Sequence, residues 1–170
     1  MKTKQINLYK YAELSKESKE TVLAYFRGTN DYYFLSEDLN ENLQELLKDN
    51  GIKEIDKAQV LYSLSYCQGD GCMFEGIFTW KSYTVTIKHS GRYHHSNSKN
   101  IKIEFSEEPD KDITKKVYDA FNVIYENICN KLEKNGYAYI ENEDSEENIL
   151  ENIEANDYYF TEKGKIESLV

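Results

Sequence analysis

The chain has 170 residues, with 21 Lys and Arg against 31 Asp and Glu, a net charge of −10 at pH 7 and a pI near 4.9. Hydrophobic residues at 39% and aromatics at 14% are too much core-forming material for a disordered acidic tail, and one proline with eight glycines excludes a collagen-like or proline-rich linker. No apolar run approaches a membrane span, three cysteines do not make a disulfide framework, and the acidity opposes direct binding to nucleic acid or anionic membrane.

Met1–Gln5 leads into polar, lysine-rich sequence without an apolar block, so no signal peptide is expected and a cytoplasmic protein is. Ile6–Tyr11 reads as a short strand or extended entry. Ser15 is a candidate N-cap for a helix whose apolar face is Val22, Leu23, Tyr25 and Phe26, with Gly28 as its stop. A second helix is expected over Leu35–Asn50. Ser36 would cap it, and Leu39, Leu43, Leu46 and Leu47 would form one stripe before the Asn50-Gly51 stop.

From Val60 the period changes to two. Val60–Tyr66, Met73–Trp80, Ser82–His89 and Ile101–Phe105 alternate apolar and polar residues between short turns, which predicts an antiparallel meander of about four strands (roughly 58–105) with one buried face. Pro109-Asp110 opens the longest helix, expected over about 110–135. Its inward stripe is Ile113, Val117, Ala120, Phe121, Ile124, Ile128 and Leu132, and Gly136 is its stop. Tyr137–Ile140 reads as a short strand, Ser145–Ala155 as a last helix and Tyr158–Thr161 as a final extended piece closed by Gly164. The expectation is an α+β fold, a single domain over 1–170 in which N-terminal helices and one long helix cover the meander and an acidic segment, 136–170, closes the chain.

One cluster could carry chemistry. Gly69-Asp70-Gly71 lies between strand patterns and reads as a tight turn, while His89, Arg92, Tyr93, His94 and His95 crowd a second hairpin. If the strands pair as expected, Gln68, Asp70 and the histidine loop converge at one end of the sheet. Cys67, Cys72, His89 and His94 have the residue types of a zinc set, although the C-x4-C and H-x4-H spacings are loose. Asp70 or Glu75 with a histidine could serve as acid and base, but no nucleophile elbow or phosphate loop accompanies them. As a binding edge, Gln68, Asp70, Arg92, Tyr93, His94 and His95 offer a polar patch for a partner. The plain alternative is structural, with turn glycines, solvated histidines and packed thiols.

Charge is the second feature. Between Asn135 and Glu162 there is no Lys or Arg, while Glu141, Glu143, Asp144, Glu146, Glu147, Glu151, Glu154, Asp157 and Glu162 are all negative. This stretch is either an ordinary solvated helix face or a phosphate-like surface for a basic groove, and it lacks calcium-loop spacing. Tyr32-Tyr33 and Tyr158-Tyr159 add two aromatic pairs suited to interfaces or core margins.

The opening Tyr9–Lys19, with its Glu13-Leu-Ser-Lys-Glu-Ser-Lys19, resembles an entry segment of small bacteriophage and prophage proteins. Ser63–Phe74 and Ile153–Gly164 are similar to other segments of that group. The resemblance carries no catalytic residue and no cofactor. It implies a non-enzymatic inhibitor of a host defence system, of anti-CRISPR or anti-restriction type. Its partner would be a nucleic-acid-binding effector or nuclease. On that reading the contact residues are Gln68, Asp70, Arg92–His95 and the carboxylates Glu143, Asp144, Glu146, Glu147, Glu151 and Glu154. An antitoxin-like protein and a metal-dependent hydrolase or nuclease on Asp70, Glu75, His89, His94 and His95 are the competing expectations.

Overall fold

A computed structural model describes residues 6–107 and 109–167, so the signal-peptide expectation on Met1–Gln5 and the end of the acidic segment lie outside the described residues. Backbone contacts divide the chain into two compact units, Tyr33–Tyr139 and Met1–Tyr32 with Ile140–Val170.

The unit Tyr33–Tyr139 is the α+β body. It holds α2 (Leu35–Asp49), β1 (Ile52–Ser63), β2 (Gly71–Trp80), β3 (Tyr83–His89), β4 (Lys99–Glu104) and most of α3 (Lys111–Glu143). The strands form an antiparallel sheet in the order β1-β2-β3-β4, the expected meander. β1 begins earlier than the alternation suggested, because register shifts between Glu54 and Gln59 and the left-handed Lys57 break the period-two pattern over its first half.

Cys72, Phe74, Phe78 and Trp80 of β2 and Val85 and Ile87 of β3 are buried on one sheet face. There Phe74 packs against Tyr125 with tilted rings and Trp80 meets Phe121, both partners from α3, and the Tyr125 hydroxyl donates to the Phe74 carbonyl at 3.2 Å. Leu35, Leu39, Leu43 and Leu47 form the buried stripe of α2, whose Asn40 side chain accepts from β1 at Val60 N–H, 3.0 Å. The cap expected at Ser36 is not used. α2 starts at Leu35 after Phe34, with no side-chain cap.

Two expectations fail in α3. It does not stop at Gly136 and Tyr137–Ile140 is not a strand, since the helix continues to Glu143. Gly136 is there for space. A Cβ at this position would lie 2.4 Å from Leu64 Cδ1 and 3.4 Å from Leu39 Cδ2, so the glycine permits close packing inside the helix instead of ending it. The buried face is also rotated from the expected stripe. Phe121, Tyr125, Ile128, Cys129 and Leu132 are buried, whereas Ile113 and Ala120 are exposed and Val117 and Ile124 half-exposed.

In the other unit, α1 (Lys16–Thr29) and α4 (Glu146–Ala155) are capped by Ser15 and Ser145, whose hydroxyls accept from Ser18 and Asn148 N–H at 3.2 Å. Ile6–Tyr11, expected as a short strand or an extended entry, makes a single bridge between Tyr9 and Phe160 and leads into a 3-10 turn at Tyr11–Glu13. β5 (Tyr159–Phe160) and β6 (Ile166–Glu167) form a two-stranded sheet. The core here is Leu14, Val22, Leu23, Ile149, Ile153 and Phe160. Among the described residues no helix is long and apolar enough to cross a membrane.

Candidate functional site

In an up-and-down meander, successive connections alternate between the two ends of the sheet. The β1–β2 loop (64–70) and the β3–β4 loop (90–98) therefore share one end, and the structure brings them into contact. A Cβ on Gly71 would sit 2.7 Å from His95 Cβ and 2.9 Å from its Cα, and one on Gly69 would sit 2.8 Å from the Tyr93 ring. The two glycines let one loop lie against the other.

Asp70 organises the first loop. Its carboxylate accepts from Ser65 N–H at 2.7 Å, Cys67 N–H at 3.0 Å and the Tyr137 hydroxyl at 2.6 Å, with the Ser63 and Ser65 hydroxyls at 3.2 Å and the Cys67 thiol at 3.3 Å. The Tyr137 hydrogen bond and the backbone donors hold its pKa far below the ordinary carboxylate range. Burial and the adjacent Asp70 carboxylate push the Tyr137 hydroxyl up to about 12. Tyr66, in a left-handed conformation at φ 56°, lays its ring 4.7 Å from that of Tyr137. A carboxylate already surrounded by internal donors is a structural clasp and a poor base.

Glu75 is similarly engaged. It accepts from His89 N–H at 3.0 Å and from Gln59 Nε2 at 2.6 Å, and the first of these leads in lowering its pKa.

The histidines hold the second loop. Carbonyl oxygens only accept, so His94 Nδ1 donates to Tyr62 C=O at 3.0 Å and His89 Nε2 to Tyr93 C=O at 3.1 Å. His89 and His94 rings lie 5.1 Å apart, and His95 stacks on Tyr93 at 5.8 Å. Gln68, Arg92 and Tyr93 remain exposed at the rim, with Arg92 over the Tyr93 ring at 5.6 Å.

Cys67, Cys72, His89 and His94 do not assemble as a ligand set. Cys67 is exposed, while Cys72 is buried and its thiol is pushed up to about 12 by desolvation. Among the described residues no three His, Cys, Asp or Glu side chains have metal-holding geometry.

The acidic residues separate into two kinds. Asp144 is used internally: its carboxylate accepts from Tyr32 OH at 2.8 Å and Asn30 Nδ2 at 3.3 Å, and its carbonyl from Arg27 Nε at 2.9 Å. Glu146 accepts from Tyr11 OH at 3.5 Å and Asp157 pairs with Lys10, whereas Glu143 takes part through its backbone carbonyl alone, which accepts from Asn148 Nδ2 at 3.4 Å. Glu147, Glu151 and Glu154 form the second kind. All three are exposed on α4 at i, i+4 and i+7, opposite the buried Ile149 and Ile153, and no ion pair among the described residues reaches them.

Tyr137, Ser63 and Ser65 around Asp70, and Arg27, Asn30 and Tyr32 around Asp144, were not anticipated from the sequence. Ser-x-Ser ahead of Gly-Asp-Gly is a local signal for side-chain bonding in a loop. Tyr137 gives no such signal, being 67 positions from its partner. Comparison of the chain with protein-family profiles, curated proteins and solved structures returned no match.

Proposed function

We propose that this is a phage-encoded, non-enzymatic inhibitor that acts in the host cytoplasm by occupying a basic nucleic-acid-binding surface of a defence protein. The observation that carries the reading is the Glu147–Glu151–Glu154 face. Like charges at i, i+3 and i+4 weaken a helix by roughly 0.2–0.5 kcal/mol per pair. α4 bears this cost with no ion pair among the described residues to offset it. Three charges over about 10 Å of helix axis approach the density of a nucleic-acid strand, about one phosphate per 3.4 Å of axis. The exposed Gln68, Arg92 and Tyr93 at the loop pair offer a separate polar contact suited to protein recognition. The internal bonding of Asp70 and Glu75 favours binding over acid–base chemistry.

The test is a pull-down from host lysate with the wild-type chain and with Glu147→Lys/Glu151→Lys/Glu154→Lys. A nucleic-acid-binding protein should be retained by the wild type, released by about 0.5 M salt or by competing nucleic acid, and lost with the variant. Capture unaffected by charge reversal, salt and competitor would remove the mimicry.

A further inference from the structure

The N-terminal part of α3 carries an apolar stripe that its own unit covers only in part. Ile113 is 51% exposed and Ala120 is exposed, Val117 and Ile124 are partly buried, and Val123 alongside is 57% exposed. The cause is a difference in length. α3 has 33 residues, about 50 Å of helix, whereas β2, the strand under it at Phe74 and Trp80, has 10 residues. α2 reaches α3 through Asn42 at Asn135, and Asn50 at its end lines a hollow with Ile128 and Lys131. α2 therefore ends before the first three turns of α3.

We propose that this stripe is a self-association surface, on which two copies of the chain pair their α3 helices antiparallel about a twofold axis. The spacing supports a second copy over an unrelated partner. The intervals 113–117–120–124 are 4, 3 and 4, the same read in either direction. Antiparallel pairing then sets Ile113 of each copy against Ile124 of the other and Val117 against Ala120, long side chains at the ends and the smallest at the centre. An isologous contact needs this self-complementarity.

Charge points the same way. In a chain of net charge −10, the segment Asp110–Ile124 is neutral, with Lys111, Lys115 and Lys116 balancing Asp110, Asp112 and Asp119. Two copies can meet here without the repulsion that the acidic regions impose. The same register places Lys116 within a turn of Asp119 on the second copy, and Asp119 is already held by Lys115 at 3.0 Å. A three-turn contact is smaller than the ~800 Å² per partner of a standard interface, so the dimer is expected in the tens of micromolar, roughly 10–100 µM.

Sedimentation velocity on the full chain across that range tests the proposal. The wild type should shift from monomer to dimer with concentration, and Ala120→Glu, an exposed position that leaves the fold intact by circular dichroism, should stay monomeric. A monomer throughout, or a dimer that persists in Ala120→Glu, overturns it. Orientation is read by oxidation in a Cys67→Ser background. Ile113→Cys/Ile124→Cys should cross-link into dimers and Ile113→Cys alone should not, because the two copies of residue 113 lie about 16 Å apart along the axis. Cross-linking by the single variant would indicate parallel pairing and refute the register.

Discussion

Replacing Asp70 by Asn tests whether the first loop is held by charge. The substitution keeps the shape but leaves one oxygen to face donors from Ser63, Ser65, Cys67 and Tyr137. Hydrogen bonds to a charged acceptor contribute about 1.5–3 kcal/mol each when shielded. Water reaches this carboxylate in part, so a net loss of about 1–2 kcal/mol is expected for the whole set. The folded-state pKa of Asp70 is depressed, with the Tyr137 hydrogen bond the leading cause. Its contribution is therefore fully present above the unfolded carboxylate value near 4 and disappears as pH falls through the lower, folded value. Urea unfolding of the wild type and Asp70→Asn, at pH 7 and in steps below pH 4, should show a gap that narrows as the solution is acidified. Tyr137→Phe should share part of the loss, so that the double variant costs less than the two single changes together. A gap that is independent of pH, or strict additivity with Tyr137→Phe, would refute the clasp.

Gly71→Ala should destabilise the Tyr33–Tyr139 unit by about 1–3 kcal/mol, because the new methyl group meets the His95 backbone; urea midpoints measure it, and chemical-shift changes at residues 93–98 should accompany it. Glu151→Lys should raise the stability of α4 by about 0.8–2 kcal/mol by turning two repulsions, with Glu147 and Glu154, into attractions, while it weakens partner capture. Opposite signs in thermal unfolding and pull-down would separate a binding face from a merely solvated one. At pH 8 an alkylating reagent should label Cys67 alone, since burial pushes the thiols of Cys72 and Cys129 up to about 12; mass spectrometry of the native chain would show one adduct, and three only after denaturation.

The parts legible in the sequence were those decided by near neighbours. The hydroxyls of Ser15 and Ser145 mark their helix starts because the N–H groups they cap lie three residues on, and the alternation in β3 and β4 shows because one face of each is more buried than the other. The shared end of the two loops followed from meander connectivity alone. What needed the tertiary structure was decided by groups far apart along the chain. Gly136 has the local marks of a helix stop, yet the space its Cβ would need is taken by Leu64 and Leu39, so the helix runs on to Glu143. Tyr137 then lies on a helix within reach of Asp70, and Asp144 is drawn inward by Asn30 and Tyr32 while Glu147, Glu151 and Glu154 stay outside. Period and composition allowed Ile113, Val117, Ala120 and Ile124 to be core. Periodicity records which side chains share a face, but whether anything covers that face depends on the reach of the elements opposite, and here the sheet and α2 are too short.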